Sequence, residues 1–198
     1  MQMAVFLALA VAAQGGATEA LKERDAEIRA ALPRGGGEPS PSARKNIEAI
    51  VTKTVDLEGM LQAALGARWR EMSEKERKRL VAAFENRFRQ LSGRELDTYR
   101  STEVEYLPEK EGAGGAVTVP TKVVVKGEPT EIAYDMRREK GGWRIVDISV
   151  DGVSTVQNYR SSFNRVIQKD GVEGLIRRLE KGSVGAKSPA SGPAAKER

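Results

Sequence analysis

The spacing of apolar residues along this chain changes character three times. From Met3 to Ala13 the residues form an unbroken apolar run with no polar face. From Thr18 to Tyr99 apolar residues recur at intervals of three and four, the period of an amphipathic helix. Leu21, Ile28 and Leu32 share one stripe of a helix over 18–32, with Thr18 placed as its N-cap. The Pro/Gly/Ser-rich stretch 33–42 reads as a loop, and helical spacing resumes at Ala43 with Ile47, Ile50 and Val51. The stretch 55–99 is strongly helical. Leu57, Met60, Leu61, Ala64 and Leu65 predict a helix ending near Gly66. Ser73 and Glu76 have the spacing of a capping box, which opens a helix striped by Leu80, Phe84, Phe88 and Leu91. Gly93 breaks or bends it, and Leu96 and Tyr99 continue the stripe.

The period then falls to two. Val104 and Tyr106 alternate with acids, and so do Val117, Val119, Thr121, Val123 and Val125 with their neighbours. Ile132, Tyr134 and Met136 form a third set, and Val146, Ile148 and Val150 a fourth. These predict four half-buried strands. Short turns at 109–116, 126–129 and 140–142 separate them, so the sheet is expected to be an antiparallel meander. After Gly152 the helical period returns with Val156, Tyr159, Phe163, Val166 and Ile167, then with Leu175, Ile176 and Leu179 beyond Gly171. The stretch 182–198 is small, polar and Pro-containing and reads as a disordered tail. The pattern predicts an α+β domain: a four-stranded antiparallel meander packed on one face against helices from both ends of the chain.

Composition narrows the chemistry. The 198 residues suffice for one domain, placed at 18–181, with short tails. With 39% apolar and 31% charged residues the chain is globular. It has no cysteine and no histidine, which removes disulfides, thiolate chemistry, Ser-His-Asp triads and His- or Cys-based metal sites. Carboxylate or lysine chemistry remains open. The net charge is +5, but the densest basic stretch, Lys75 to Arg79, is interleaved with Glu74 and Glu76. That mixing marks a solvated helix face, and no nucleic-acid partner is expected. The first apolar run is shorter than the roughly 20 residues that span a bilayer and fits the core of an export signal over residues 1–17. Cleavage sites are available at Ala10-Val11-Ala12 and Gly15-Gly16-Ala17; Met1-Gln2 lacks the usual basic start, and a buried N-terminal helix is the other reading.

The stretch Gly142-Trp143-Arg144-Ile145-Val146-Asp147-Ile148-Ser149-Val150-Asp151-Gly152-Val153-Ser154, followed by Asn158-Tyr159-Arg160 and Phe163, resembles the MlaC family, also described as toluene-tolerance auxiliary proteins. Gly171-Val172-Glu173-Gly174-Leu175-Ile176 is similar to that family's closing helix. Asp56-Leu57, Met60, Ala64-Leu65-Gly66, Trp69-Arg70 and Phe84 are similar to its first half. The chain departs from the family pattern in its 33–42 loop, its glycines at 112–115, its uncharged start and its long tail. The resemblance implies a periplasmic, non-enzymatic phospholipid carrier of a Gram-negative bacterium, with phospholipid as cargo and no cofactor. It implies exchange with an inner-membrane ABC transporter complex of the MlaFEDB kind and an outer-membrane lipoprotein–porin complex of the MlaA kind. A monomer is expected.

A phospholipid exposes about thirty methylenes at about 0.8 kcal/mol each, so a soluble carrier must enclose its acyl chains almost completely. Under the resemblance, the expected pocket has a floor of Val119, Val123, Ile132, Tyr134, Met136, Ile148 and Val150. Its walls are Met60, Leu61, Leu65, Phe84, Phe88, Tyr159, Phe163 and Ile167, and Val153 completes the set. Periodicity alone leaves open whether this space is filled or hollow. A protein-interaction module with a filled core is the second reading, and a carboxylate enzyme is the third. The alternation turns Asp135 and Asp147 outward, against the enzyme. Asp147 is expected to be an exposed or capping strand residue, and Asp151 part of the turn with Gly152. Trp143 falls on the opposite phase from Val146 and Ile148 and is expected under the C-terminal helix.

Overall fold

The computed structural model describes residues 15–34, 37–92, 102–125 and 127–183. The expected signal core, the tail beyond Ser183, and Gly93, Leu96 and Tyr99 lie outside the described residues. Among the described residues five helices come first: α1 (Ala17–Ala31), α2 (Pro41–Thr54), α3 (Leu57–Leu65), α4 (Ala67–Glu71) and α5 (Glu74–Ser92). Six strands follow: β1 (Val104–Tyr106), β2 (Lys110–Glu111), β3 (Ala116–Val125), β4 (Glu128–Glu139), β5 (Gly142–Val150) and β6 (Val153–Ser154). Helix α6 (Thr155–Glu180) closes the domain.

Local chemistry sets the helix boundaries. Ser40 accepts from the Ala43 N–H at 3.2 Å, with Pro41 at the first position of α2, where its missing N–H costs nothing. Asp56 accepts from the Gly59 N–H at 3.0 Å, and α3 stops at Gly66, whose φ of 58° favours glycine. The capping box forms: the Glu76 N–H donates to Ser73 Oγ at 3.3 Å, and the Ser73 N–H donates to the Glu76 carboxylate at 2.8 Å. The start of α1 differs from expectation. Gly16, not Thr18, precedes it, and the Thr18 N–H instead donates to Glu109 at 2.7 Å, a cap supplied from a distant loop. The two stripes of the last helix are one element with a kink at Gly171, φ 67°.

The sheet is antiparallel in the order β1-β3-β4-β5-β6, with β2 also pairing β3. It therefore has six strands, not four. The two added strands, β2 and β6, are two residues each, too short to show an alternation. One face carries Val117, Val119, Thr121 and Val123 of β3 opposite Met136, Tyr134, Ile132 and Thr130 of β4. On β5 the expected phase holds at Ile148 and Val150 but fails before them. Asp135 pairs with Asp147 but Met136 pairs with Ile145, so Val146 is the extra residue of a bulge. Ile145, 4% exposed, takes the inward place given to Val146. The same shift brings Trp143 onto the inner face. Its indole N–H donates to the Gly15 carbonyl at 3.0 Å, and the Arg138 guanidinium lies 5.7 Å from its ring, so it packs at the start of α1 rather than under α6. Val55 is also not helical: it bridges Ile145 in parallel, and the Asp56 N–H donates to the Ile145 carbonyl at 2.8 Å, covering part of the β5 edge.

Helices α3, α5 and α6 pack together over the inner sheet face, and α1 packs on α2, β3 and β5. Asp147 ties the layers. It accepts from its own neighbour's N–H (Ile148, 2.8 Å), from the Val156 N–H at 3.0 Å and from the Ser154 hydroxyl. Asp147 is thus a capping residue of α6. Asp151, at φ 48°, occupies the turn before Gly152 and accepts from the Glu131 N–H at 3.0 Å. Asp147→Ala is expected to lower stability by about 1–3 kcal/mol, because it leaves two N–H groups without an acceptor. Urea unfolding reads this directly; a change below about 0.5 kcal/mol counts against the capping role.

Candidate functional site

The inner sheet face and the helices above it hold most of the residues singled out from the sequence. Met60, Leu61, Leu65, Phe84, Phe88, Val119, Met136, Ile148, Tyr159, Phe163 and Ile167 join one buried apolar cluster, with Ile132 and Tyr134 half-buried against it. Val123 is buried but outside the cluster, and Val150 is half-buried on the same face. Val153 stands apart: it is 61% exposed on β6.

These residues fall into two groups. Phe84, Tyr159 and Phe163 are sealed and touch one another. The Phe84 ring meets Tyr159 edge-on at 5.0 Å and Phe163 edge-on at 6.2 Å, while Tyr159 and Phe163 stack at 5.2 Å. Rings so arranged are packing, and they join α5 to α6. The second group keeps accessible surface despite its apolar phase: Tyr106, Val117, Ile132, Tyr134 and Val150. Tyr106 and Val117 were legible in the alternation of their strands but were not among the candidate pocket residues. Ile145 and Trp143 were hidden by the bulge.

The tyrosines carry the electrostatics of this face. Burial pushes the Tyr134 hydroxyl far above its ordinary range, and the nearby Tyr106 and Asp25 push the same way. Tyr134 keeps part of its surface accessible. Burial raises Tyr106 to about 12, with Asp25 adding to the effect and Arg29 opposing it. Burial also raises Tyr159 to about 12, opposed by Arg87. Beside Tyr106 on α1, the Lys22 ammonium lies 5.1 Å from the ring centroid. Arg29 donates to Asp25 at 2.8 Å and to the Thr102 carbonyl at 2.8 Å.

These shifts make the fold alkali-sensitive. Tyrosine in the unfolded chain ionises near pH 10. The folded protein holds its Tyr159 proton to about 12. The stabilisation is full below about pH 10 and is lost as pH rises from there to about 12, by up to about 1.4 kcal/mol per unit for each such tyrosine. Urea unfolding at about pH 8 and about pH 11 should show the loss, and Tyr159→Phe should reduce its slope. An unchanged slope in that variant removes Tyr159 from the account.

Asp135 accepts from the Thr118 hydroxyl at 2.6 Å on the outer sheet face, away from this group. Among the described residues no three acidic side chains gather as a metal site, and no helix is long and apolar enough to cross a membrane.

An antiparallel sheet whose one apolar face lies under helices defines an α+β class of domain. Residues 28–181 match the family described as MlaC protein, and the chain belongs to the MlaC family. The family suggested by residues 142–163 is therefore the correct one. The fold is similar to that of a solved phospholipid-binding protein from Ralstonia solanacearum, determined in complex with a phospholipid. The TM-score is 0.73 and the identity 22%, over 85% of this chain and 97% of that one. Comparison with curated proteins finds no match.

Proposed function

We propose that this chain is a soluble, non-enzymatic phospholipid carrier that needs no cofactor and holds acyl chains between the inner sheet face and the helices over it. The observation that carries this reading is the set of apolar-phase residues on the inner sheet face that keep accessible surface: Tyr106, Val117, Ile132, Tyr134 and Val150. Membership of the MlaC family and the phospholipid held by the similar Ralstonia protein support the choice of ligand. In this reading acyl chains pass from bilayer to pocket with little net change in free energy, because one apolar environment replaces another. Direction then comes from partners that distinguish loaded from empty protein. Those partners are an inner-membrane transporter complex of the MlaFEDB kind and an outer-membrane lipoprotein–porin complex of the MlaA kind, and the carrier works between them in the periplasm.

The export signal belongs to the same proposal, with its cleavage at Ala10-Val11-Ala12. The alternative site after Ala17 would remove residues built into the domain: Gly15 accepts from Trp143, and Ala17 is fully buried at the start of α1. The carrier domain then runs to Lys181, with 182–198 as a tail.

Native mass spectrometry of the exported protein, followed by solvent extraction, tests the main reading. One protein carrying one phospholipid is the expected result. Protein that is lipid-free, and that stays so after incubation with phospholipid vesicles, would leave the filled-core interaction module as the better reading.

A further inference from the structure

Thr121 and two tyrosines, all on the inner face of the sheet, treat their hydroxyls differently. Thr121 is fully buried, and its hydroxyl donates to the Ile132 carbonyl at 2.8 Å. Tyr134 and Tyr106 make no hydrogen bond with any described residue. They flank β3 on the same face, Tyr106 opposite Thr121 and Tyr134 opposite Val119, close enough for Tyr106 to act on the ionisation of Tyr134. Both side chains keep accessible surface on that apolar face, so their hydroxyls are donors that no group of the described residues takes up. Two such donors on one apolar face suit an acceptor that arrives from outside the chain.

The surrounding groups say which acceptor. From exposed to sealed, this face presents the Lys22 ammonium, then half-buried Tyr106 and Tyr134, then the apolar floor of Val119 and Met136. Lys22 has no carboxylate partner among the described residues; its contact is the face of Tyr106. A diacyl phospholipid presents the matching order: phosphate, ester carbonyls, hydrocarbon. Carbonyl oxygens accept from phenols, and a phosphate suits an ammonium.

We propose that Tyr106 and Tyr134 form an ester-recognition subsite, in which their hydroxyls donate to the carbonyl oxygens of a diacyl lipid while Lys22 faces its phosphate. This rests on the carrier reading above. The subsite stops the cargo at the depth where its polar part begins, and it makes the protein select ester-linked over ether-linked lipids, because an ether lacks the carbonyl acceptor.

The test offers the delipidated mature protein vesicles containing equal amounts of diacyl and dialkyl phosphatidylethanolamine with matched chains and measures the bound ratio by mass spectrometry. The wild-type chain should load the diacyl lipid about tenfold over the dialkyl lipid, the size expected of one to two hydrogen bonds. The Tyr106→Phe/Tyr134→Phe variant should load the two lipids at a ratio near one. Removing unpartnered hydroxyls leaves the rings in place, and circular dichroism verifies that the variant is folded. A wild-type ratio near one, or the same preference in the double variant, overturns the ester subsite while leaving the carrier reading intact. Loading of neither lipid overturns both.

Discussion

Ile132→Glu is expected to abolish lipid loading, by at least about a hundredfold, in a domain that still folds. Ile132 sits on the inner face between Thr121 of β3 and Val150 of β5 and is only half-buried. The variant carboxylate therefore has residual access to water in the empty protein, which keeps the cost to folding small. With acyl chains bound, the same carboxylate would be sealed against hydrocarbon and would have to lose its charge or its hydration, at a cost of several kcal/mol. The paired control is Val124→Glu. Val124 lies on the opposite phase of β3 and is 61% exposed, so an identical change in chemistry should leave loading within about twofold. Phospholipid per protein after vesicle incubation gives the readout, with circular dichroism as the check on folding. Normal loading by folded Ile132→Glu would move the acyl chains away from the sheet.

The second large effect concerns stability. Phe163→Ala should lower the unfolding free energy by about 3–5 kcal/mol, a large share of the stability of a marginal domain. Phe163 is fully sealed, stacks on Tyr159 at 5.2 Å and meets Phe84 of α5 edge-on at 6.2 Å. Truncation removes ring contacts on both sides and leaves a void between α5 and α6 that those helices, clamped by Arg79 to Glu173 at 2.8 Å, close only in part. Phe84→Ala should cost a similar amount. The double variant should cost less than the sum, since the two rings share one contact. Urea unfolding measures all three. A loss below about 1 kcal/mol for Phe163→Ala would mean that the site collapses or is already loosely filled, and the division between sealed packing and open face would have to be redrawn.

Much of the architecture was legible because its signals are local. Ser73 and Glu76 cap α5 as their spacing predicts, since a capping box involves only four residues of one chain segment. Gly66 ends α3 and Gly171 kinks α6, because positive φ is a property of the residue itself. The alternations of β3 and β4 place Val119, Thr121, Met136 and Tyr134 on one face as read. The errors are non-local. Thr18 is displaced as the cap of α1 because Glu109, from the loop after β1, reaches its N–H. Val146 yields its inward place to Ile145 because a bulge is defined against the partner strand, at Asp135 and Met136. Trp143 follows that shift onto the inner face and packs at Gly15.

The same division runs through the candidate site. By itself the sequence determined an α+β chain with helices at both ends of an antiparallel sheet, the absence of histidine and cysteine chemistry, the capping box of α5 and the family. Each of these is written in residue type or short-range period. Only the tertiary structure separated the sealed residues Phe84, Tyr159 and Phe163 from the accessible ones, Ile132, Tyr134 and Val150, although both sets carry the same inward phase. It also brought Lys22 of α1, Tyr106 of β1 and Tyr134 of β4 together from distant parts of the chain. The physical reason is that periodicity specifies which way a side chain points, whereas the space left in front of it depends on how closely the helix layer and the sheet fit.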